Sequence, residues 1–281
     1  MLEYKFTLHI RQMIENIAYS GGGIKGYAYI GVMKYLEENK LKDSVLRVSG
    51  TSIGAIFALL QVVGFNSMEI QKFVTSLNLQ KLGEIDLNLF MTDYGLDDGS
   101  RVTKLLKFLL KDKKLNENIT FKQLFEVTKK ELHISACDIT KEKLKVFNHL
   151  LTPDISVIFA CRCSISIPFI FTPVDEKYID GCFSKNLLID IFPIENTIGF
   201  HTQSKKSEYF PEDLQGYISR IVSCSTNKGV NLEIEKYKLL GYNVVTIPVT
   251  IKALHINISK EEIISQIRIG YESCINTNLN K

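Results

Sequence analysis

The sequence predicts an α/β fold: a mostly parallel sheet covered by helices on both faces. Asn16–Tyr19 reads as a short apolar strand, and its glycine-rich turn feeds a helix-like pattern at Tyr27, Ile30, Val32, Met33 and Leu36. Val45–Val48 reads as a second strand, turning through Gly50-Thr51-Ser52-Ile53-Gly54 into an apolar helix from Ala55 to Val63. Strand, turn and helix in repeated succession is how parallel sheets are built. The C-terminal third continues the alternation. Strands are expected near Thr197–Phe200 and Asn243–Pro248, with helices near Gly216–Ser223 and Lys260–Cys274.

With 281 residues, 45% of them hydrophobic and 23% charged, the chain can bury one large core. No Pro/Gly/Ser-rich or charged linker divides it and no fixed-period repeat recurs, so residues 1–281 are expected to form one domain, with the motifs in a core of about 16–200. A net charge of +3 gives no argument for nucleic acid and leaves a membrane surface open. Six cysteines lie mostly in apolar segments without C-x-x-C or His pairs, which favours buried free thiols in a reducing compartment and implies no metal. Glu3, Lys5, His9 and Arg11 interrupt any N-terminal apolar stretch, so no ordinary signal peptide is expected, and no apolar run is long enough to span a bilayer. These features suit a cytoplasmic or peripheral membrane protein.

Ser52 sits where the second strand becomes a helix. Glycines at 50 and 54 leave room for the backbone to fold tightly around a serine there, and the helix start adds amide dipoles that stabilise nearby negative charge. A nucleophile fits this position. A plain tight strand–helix connection fits it as well, so the neighbouring turn has to decide. In Gly21-Gly22-Gly23-Ile24-Lys25-Gly26, consecutive glycines expose backbone amides at a helix start, which makes an anion site. The anion is either a dinucleotide pyrophosphate or the oxyanion of an ester under attack. A dinucleotide site needs an acidic residue at the end of the second strand. The chain has Ser49-Gly50-Thr51-Ser52 there instead. Ester hydrolysis needs both elements within about 3 Å of one carbonyl.

Gly21–Gly26, Gly50–Gly54 and the later pair Asp180-Gly181 together resemble the patatin-like phospholipase family from about Asn16 to the C-terminal helix. The resemblance implies a three-layer α/β/α sandwich, a variant of the α/β-hydrolase type, and a Ser–Asp dyad without histidine. Ser52 would be the nucleophile and Asp180 the general base. The amides of Gly21, Gly22, Gly23 and Ile24 would form the oxyanion hole, with Lys25, Gly26, Gly50, Gly54 and Gly181 completing the motifs. The implied substrate is a phospholipid or other acyl-ester lipid, and no cofactor or metal is implied. Two positions depart from the family pattern: Ser20 stands where many members carry Asp, and Cys182 where they carry Gly or Ala.

Other stretches carry weaker signals. Val102, Leu105, Leu106, Leu109 and Leu110 form one face of a helix decorated by Lys104, Lys107, Lys111, Lys113 and Lys114. That face either packs on the core or lies on an anionic lipid surface. Glu131–Asp138 and Leu144–Asn148 read as a hairpin, with Asp138 as an alternative catalytic acid or a turn former. A helix from Ser156 to Ser164 precedes Phe169-Ile170-Phe171-Thr172-Pro173, which reads either as an acyl-chain wall or as ordinary core. By itself Asp180-Gly181 is a hairpin-turn signal. Two further functions remain open: a Ser-His-Asp esterase on soluble esters using His201 or His255, and a non-catalytic lipid-binding member of the fold.

Overall fold

A computed structural model of the chain describes residues 13–77, 85–204, 210–211, 214–253, 258–277 and 279. In chain order these form β1 (Asn16–Tyr19), α1 (Ala28–Glu38), β2 (Arg47–Thr51), α2 (Ile53–Val62), α3 (Ser67–Ser76), α4 (Leu87–Asp93), β3 (Gly95–Asp97), α5 (Ser100–Asp112) and α6 (Phe121–Thr128). Then follow β4 (Glu131–Asp138), β5 (Lys143–Phe147), α7 (Val157–Ser164), β6 (Phe169–Phe171), β7 (Tyr178–Asp180), β8 (Thr197–Ser204), α8 (Leu214–Leu239), β9 (Asn243–Val249) and α9 (Lys260–Asn276). Several helices start where the sequence supplies reciprocal caps. Asn66 with Glu69, Thr120 with Gln123 and Ser259 with Glu262 each form a capping box.

The main sheet has seven strands, in the order β5-β4-β2-β1-β8-β9 with β7 also paired to β4. β1, β2, β4, β8 and β9 are parallel, while β5 and β7 run antiparallel to β4. Strand periodicity splits the core in two. Ile17 and Tyr19 of β1 enter the large cluster under α1, α2, α7 and α9, whereas Ala18 points into a smaller cluster with Ile234 and Tyr237 of α8. The result is a three-layer α/β/α fold.

α1 and α9 cross at unusually close range because each presents a glycine to the other's backbone. A Cβ on Gly31 would fall 2.6 Å from the amide of Tyr271, and one on Gly270 would fall 2.7 Å from the carbonyl carbon of Ala28. Gly270→Ala is therefore expected to lower stability by about 1–3 kcal/mol, measured by urea unfolding, through overpacking of a backbone contact.

The structure differs from the expected elements in two places. α8 runs from Leu214 to Leu239 instead of ending near Ser223, because polar and apolar residues are mixed around most of its length and no contrasting face marks its extent. The apolar Phe169–Phe171 segment, to which the sequence assigns no secondary structure, is a strand. It pairs in parallel with β3 as a separate two-stranded ribbon. The expected hairpin forms as β4 and β5. Asp138 closes its turn: Oδ1 accepts from the Thr140 amide and hydroxyl and the Lys141 amide. Of the expectations on charge, those resting on Glu3, Lys5, His9 and Arg11 lie outside the described residues. No described helix is long and apolar enough to cross a membrane.

Candidate active site

Parallel pairing performs the first step of assembly. Tyr19 on β1 is level with Gly50 on β2, so the glycine-rich turn and the Gly50–Gly54 turn leave the same sheet edge side by side. Gly50 and Gly54 close the second turn: a Cβ on Gly50 would sit 2.5 Å from the Ala55 amide nitrogen, and one on Gly54 would sit 2.6 Å from the Ser20 carbonyl oxygen. The backbone reversal falls on Ser52, whose φ of 54° and ψ of −127° are strained for an L-residue. Its amide donates to Ser164 Oγ at 2.8 Å, anchoring the strained turn to the end of α7. α2 begins at the next residue, so the positive end of its dipole lies beside the hydroxyl.

β4 performs the second step. One of its edges pairs first with β2 and then with β7: Thr51 is level with Ser135, and Asp180 with Ala136. Neighbouring positions on one strand thus bring residues 51 and 180 together. Ser52 Oγ donates to Asp180 Oδ2 at 2.6 Å across a sequence separation of 128. The other carboxylate oxygen accepts from the Cys182 amide at 2.8 Å, and the Asp180 amide donates to Ser166 O at 2.9 Å. Asp180 is almost fully buried. Burial pushes its pKa up from 3.8 to about 6, and the hydrogen bonds from Ser52 and Cys182 oppose the rise.

The four amides expected to hold an oxyanion divide into two pairs. Gly21 N already donates to Asn186 O at 3.2 Å and Ile24 N to Ala253 O at 2.8 Å, so neither is open to a ligand. This corrects the expectation for Gly21 and Ile24. Their bonds instead fix the two ends of the loop. Gly22 and Gly23 amides have no acceptor among the described residues. The loop lies close to Ser52, since a Cβ on Gly21 would come 3.1 Å from Ser52 Cβ. The Lys25 stem packs over Gly22, and its Nζ donates to Thr202 O at 3.5 Å. Burial lowers the Lys25 pKa. Gly26 packs on Ile53, and Gly181 packs on Ser135.

The two departures from the family pattern fill space around this loop. Ser20 Oγ makes a 2.9 Å hydroxyl–hydroxyl contact with Tyr29, and Cys182 Sγ donates to Asn186 Oδ1 at 3.1 Å. His201 lies 3.3 Å from Ser20 Oγ, not against Ser52, and burial depresses its pKa to about 3, leaving the ring neutral. His255 lies outside the described residues.

Several site residues carry no signal legible in the sequence. Glu233 of α8 accepts from the Asn186 and Leu187 amides at 3.1 and 3.4 Å, and so holds the segment that fixes Gly21. Arg162 on α7 is buried, donates to Ser166 Oγ at 2.6 Å and Asp98 O at 2.9 Å, and stands over the Phe171 ring. It ties the β3–β6 ribbon to the helix that anchors Ser52. A serine closing an apolar helix hints at Ser164, but not at its bond to residue 52.

A cavity of about 500 Å³ opens on Ser52. Ile53, Ile56, Phe57 and Leu60 line it along α2 at helical spacing, and Val102, Leu105, Leu106 and Leu109 of α5 form the facing wall. Ile170 and Phe171 of β6 complete it. The α5 leucines therefore face inward. Its lysines are partly satisfied within the chain, because Lys107 and Lys111 pair with Glu117, and Lys113 with Glu69. Phe169 is turned outward and takes no part in the wall.

Known proteins share both the sequence and the fold. A probable lipid hydrolase of Invertebrate iridescent virus 6 is 31% identical over 216 residues, covering 73% of this chain and 70% of that protein. An uncharacterized protein of Acanthamoeba polyphaga mimivirus is 29% identical over 195 residues, 66% of this chain and 64% of its own length. The chain thus spans about two thirds of these relatives. Among solved structures, VipD from Legionella pneumophila matches 95% of the chain with a TM-score of 0.69 at 16% identity, over 66% of that protein. The type III effector ExoU matches 95% with a TM-score of 0.56 at 15% identity, over 52% of its chain. Residues 17–193, from the first strand through both glycine-rich turns to just beyond Asp180-Gly181, match the patatin-like phospholipase family, and the chain belongs to that family.

Proposed function

We propose that this chain is a lipid acyl hydrolase of the phospholipase A or lysophospholipase type, acting through a dyad of Ser52 and Asp180. The observation that carries this reading is the 2.6 Å hydrogen bond between them at the mouth of an apolar cavity. An iridescent virus relative described as a probable lipid hydrolase supports the same chemistry.

In the first step Ser52 Oγ attacks the ester carbonyl carbon while its proton passes to Asp180 Oδ2. The resulting oxyanion takes hydrogen bonds from the Gly22 and Gly23 amides. Collapse breaks the ester C–O bond, Asp180 returns the proton to the departing alcohol, and the acyl group stays on Ser52. Water then attacks the acyl carbon with Asp180 as base, and the fatty acid leaves as Ser52 recovers its proton. The cavity along α2 takes the acyl chain.

An ordinary aspartate would be a weak base for a hydroxyl. Burial lifts Asp180 to about 6, which strengthens it as a base while leaving it mostly ionised at neutral pH. Activity per enzyme should therefore fall about tenfold per pH unit below 6 and level off above it. Purified protein assayed on defined phospholipids across pH 4–9, with fatty acid release measured, tests this. A rate independent of pH across that range contradicts Asp180 as the base. Labelling of Ser52 by a fluorophosphonate probe, located by mass spectrometry, tests the nucleophile separately.

A further inference from the structure

We infer that α4 and the tip of β6 form a docking strip for a net-uncharged phospholipid surface, through which an acyl chain passes from the lipid aggregate into the cavity. The identity of the occupant rests on the hydrolase reading above, and the strip itself is read from exposure, continuity and charge.

α4 reads Leu-Asn-Leu-Phe-Met-Thr-Asp and buries none of its residues. Leu87 is 63% exposed and Met91 78%, and Tyr94 just beyond the helix is also exposed. Phe90 lies 6.2 Å, ring to ring, from Phe169, which is itself exposed and held at a φ of 69°. A clustered apolar surface of this kind marks an interaction site rather than scattered surface hydrophobes.

Continuity identifies what the surface meets. Ile85, two residues before α4, is 68% exposed and also lines the cavity. Phe169 is followed by the cavity residues Ile170 and Phe171, and β6 pairs with β3, whose Leu96 lines the cavity too. The exposed strip is therefore the outer end of the apolar wall that leads to Ser52. A long-chain lipid held in an aggregate can cross to that wall without exposing its chain to water only if the strip lies against the aggregate.

Charge selects the kind of aggregate. Residues 85–94, which carry the strip, contain Asp86 and Asp93 but no lysine or arginine. An anionic leaflet repels such a strip, whereas a zwitterionic one leaves apolar burial as the driving term. Of the lysines on and just beyond α5, Lys107, Lys111 and Lys113 are engaged with Glu117 and Glu69, and Lys104 acts on Asp98, just past the far end of β3, rather than on α4.

The chain contains no tryptophan, so a single introduced indole reports its own surroundings. Met91→Trp is made in a Ser52→Ala background, which keeps vesicles intact and separates docking from hydrolysis. Leu239→Trp serves as the control, at an 89% exposed position at the end of α8. With phosphatidylcholine vesicles, the Met91→Trp emission should shift to the blue and the Leu239→Trp emission should not. In the Ser52 protein, Leu87→Asp combined with Met91→Asp should weaken vesicle binding and vesicle hydrolysis at least tenfold. Its hydrolysis of monomeric p-nitrophenyl butyrate should stay at the parent rate, which also reports intact folding. Binding that requires phosphatidylserine, an unshifted Met91→Trp spectrum, or a double variant that binds vesicles like the parent overturns the docking strip. Absence of both butyrate hydrolysis and fluorophosphonate labelling in the parent would overturn the hydrolase reading alone, because the Ser52→Ala vesicle measurement still decides docking.

Discussion

Ser52→Ala is expected to leave a folded protein whose release of fatty acid is slower by a factor of about 10³ or more, and which no longer takes up a fluorophosphonate. Removing the hydroxyl removes the only atom proposed to bond to the acyl group, and loss of a nucleophile in an assembled site has effects of this order. The backbone at this position gives a second readout. Ser52 is held at a φ of 54°, and alanine inherits the same strain, whereas glycine adopts that conformation freely. Ser52→Gly should therefore be more stable than Ser52→Ala by about 1 kcal/mol in chemical denaturation, with both equally inactive. Equal stabilities would mean that the turn is not strained. Residual hydrolysis near the parent rate in either variant would place the nucleophile elsewhere.

Asp180→Asn should also lower the rate by about 10³ or more, because an amide cannot accept the Ser52 proton, and the loss should persist at every pH. Its effect on stability has the opposite sign. The Asp180 pKa rises from 3.8 to about 6 on burial, so the folded state binds this proton more tightly than the unfolded chain does. The stabilising contribution of that proton is complete below pH 3.8 and is lost as pH rises through about 6. At pH 8 the protein holds a buried charge that costs about 3 kcal/mol relative to the protonated state, at about 1.4 kcal/mol per pH unit. Asparagine removes the charge. The advantage of Asp180→Asn over the parent in urea unfolding should thus be larger at pH 8 than at pH 4. A difference independent of pH would show that burial does not set the titration of this carboxyl. An inactive protein that becomes more stable is the expected mark of a group kept for chemistry rather than for folding.

The two glycine-rich turns were legible because their meaning is local. Gly21–Gly26 and Gly50–Gly54 mark places where the backbone must pass closely, and the structure shows close approaches at both. The hairpin at 131–148 and the apolar face of α5 were legible for a similar reason, since period-2 and period-3.6 patterns are properties of consecutive residues. α8 extends beyond its expected end because its apolar and polar residues do not separate into faces. The β3–β6 ribbon is not legible because three-residue strands carry almost no pattern, and Arg162, which ties it down, looks in sequence like any helical cation.

The sequence by itself determined the α/β class, the two turns beside the sheet edge and, through the family pattern, the candidate pair of Ser52 and Asp180. Only the tertiary structure decided that consecutive positions on β4 bring that pair to 2.6 Å, and that His201 is spent on Ser20 instead. It also decided that, among the described residues, Gly22 and Gly23 rather than Gly21 and Ile24 keep amides without an acceptor, and that α5 turns inward while α4 turns outward. The reason is the range of the forces involved. Turn sterics and helix periodicity act between residues a few positions apart, whereas strand register, burial and hydrogen-bond competition depend on segments that meet only after the chain has folded.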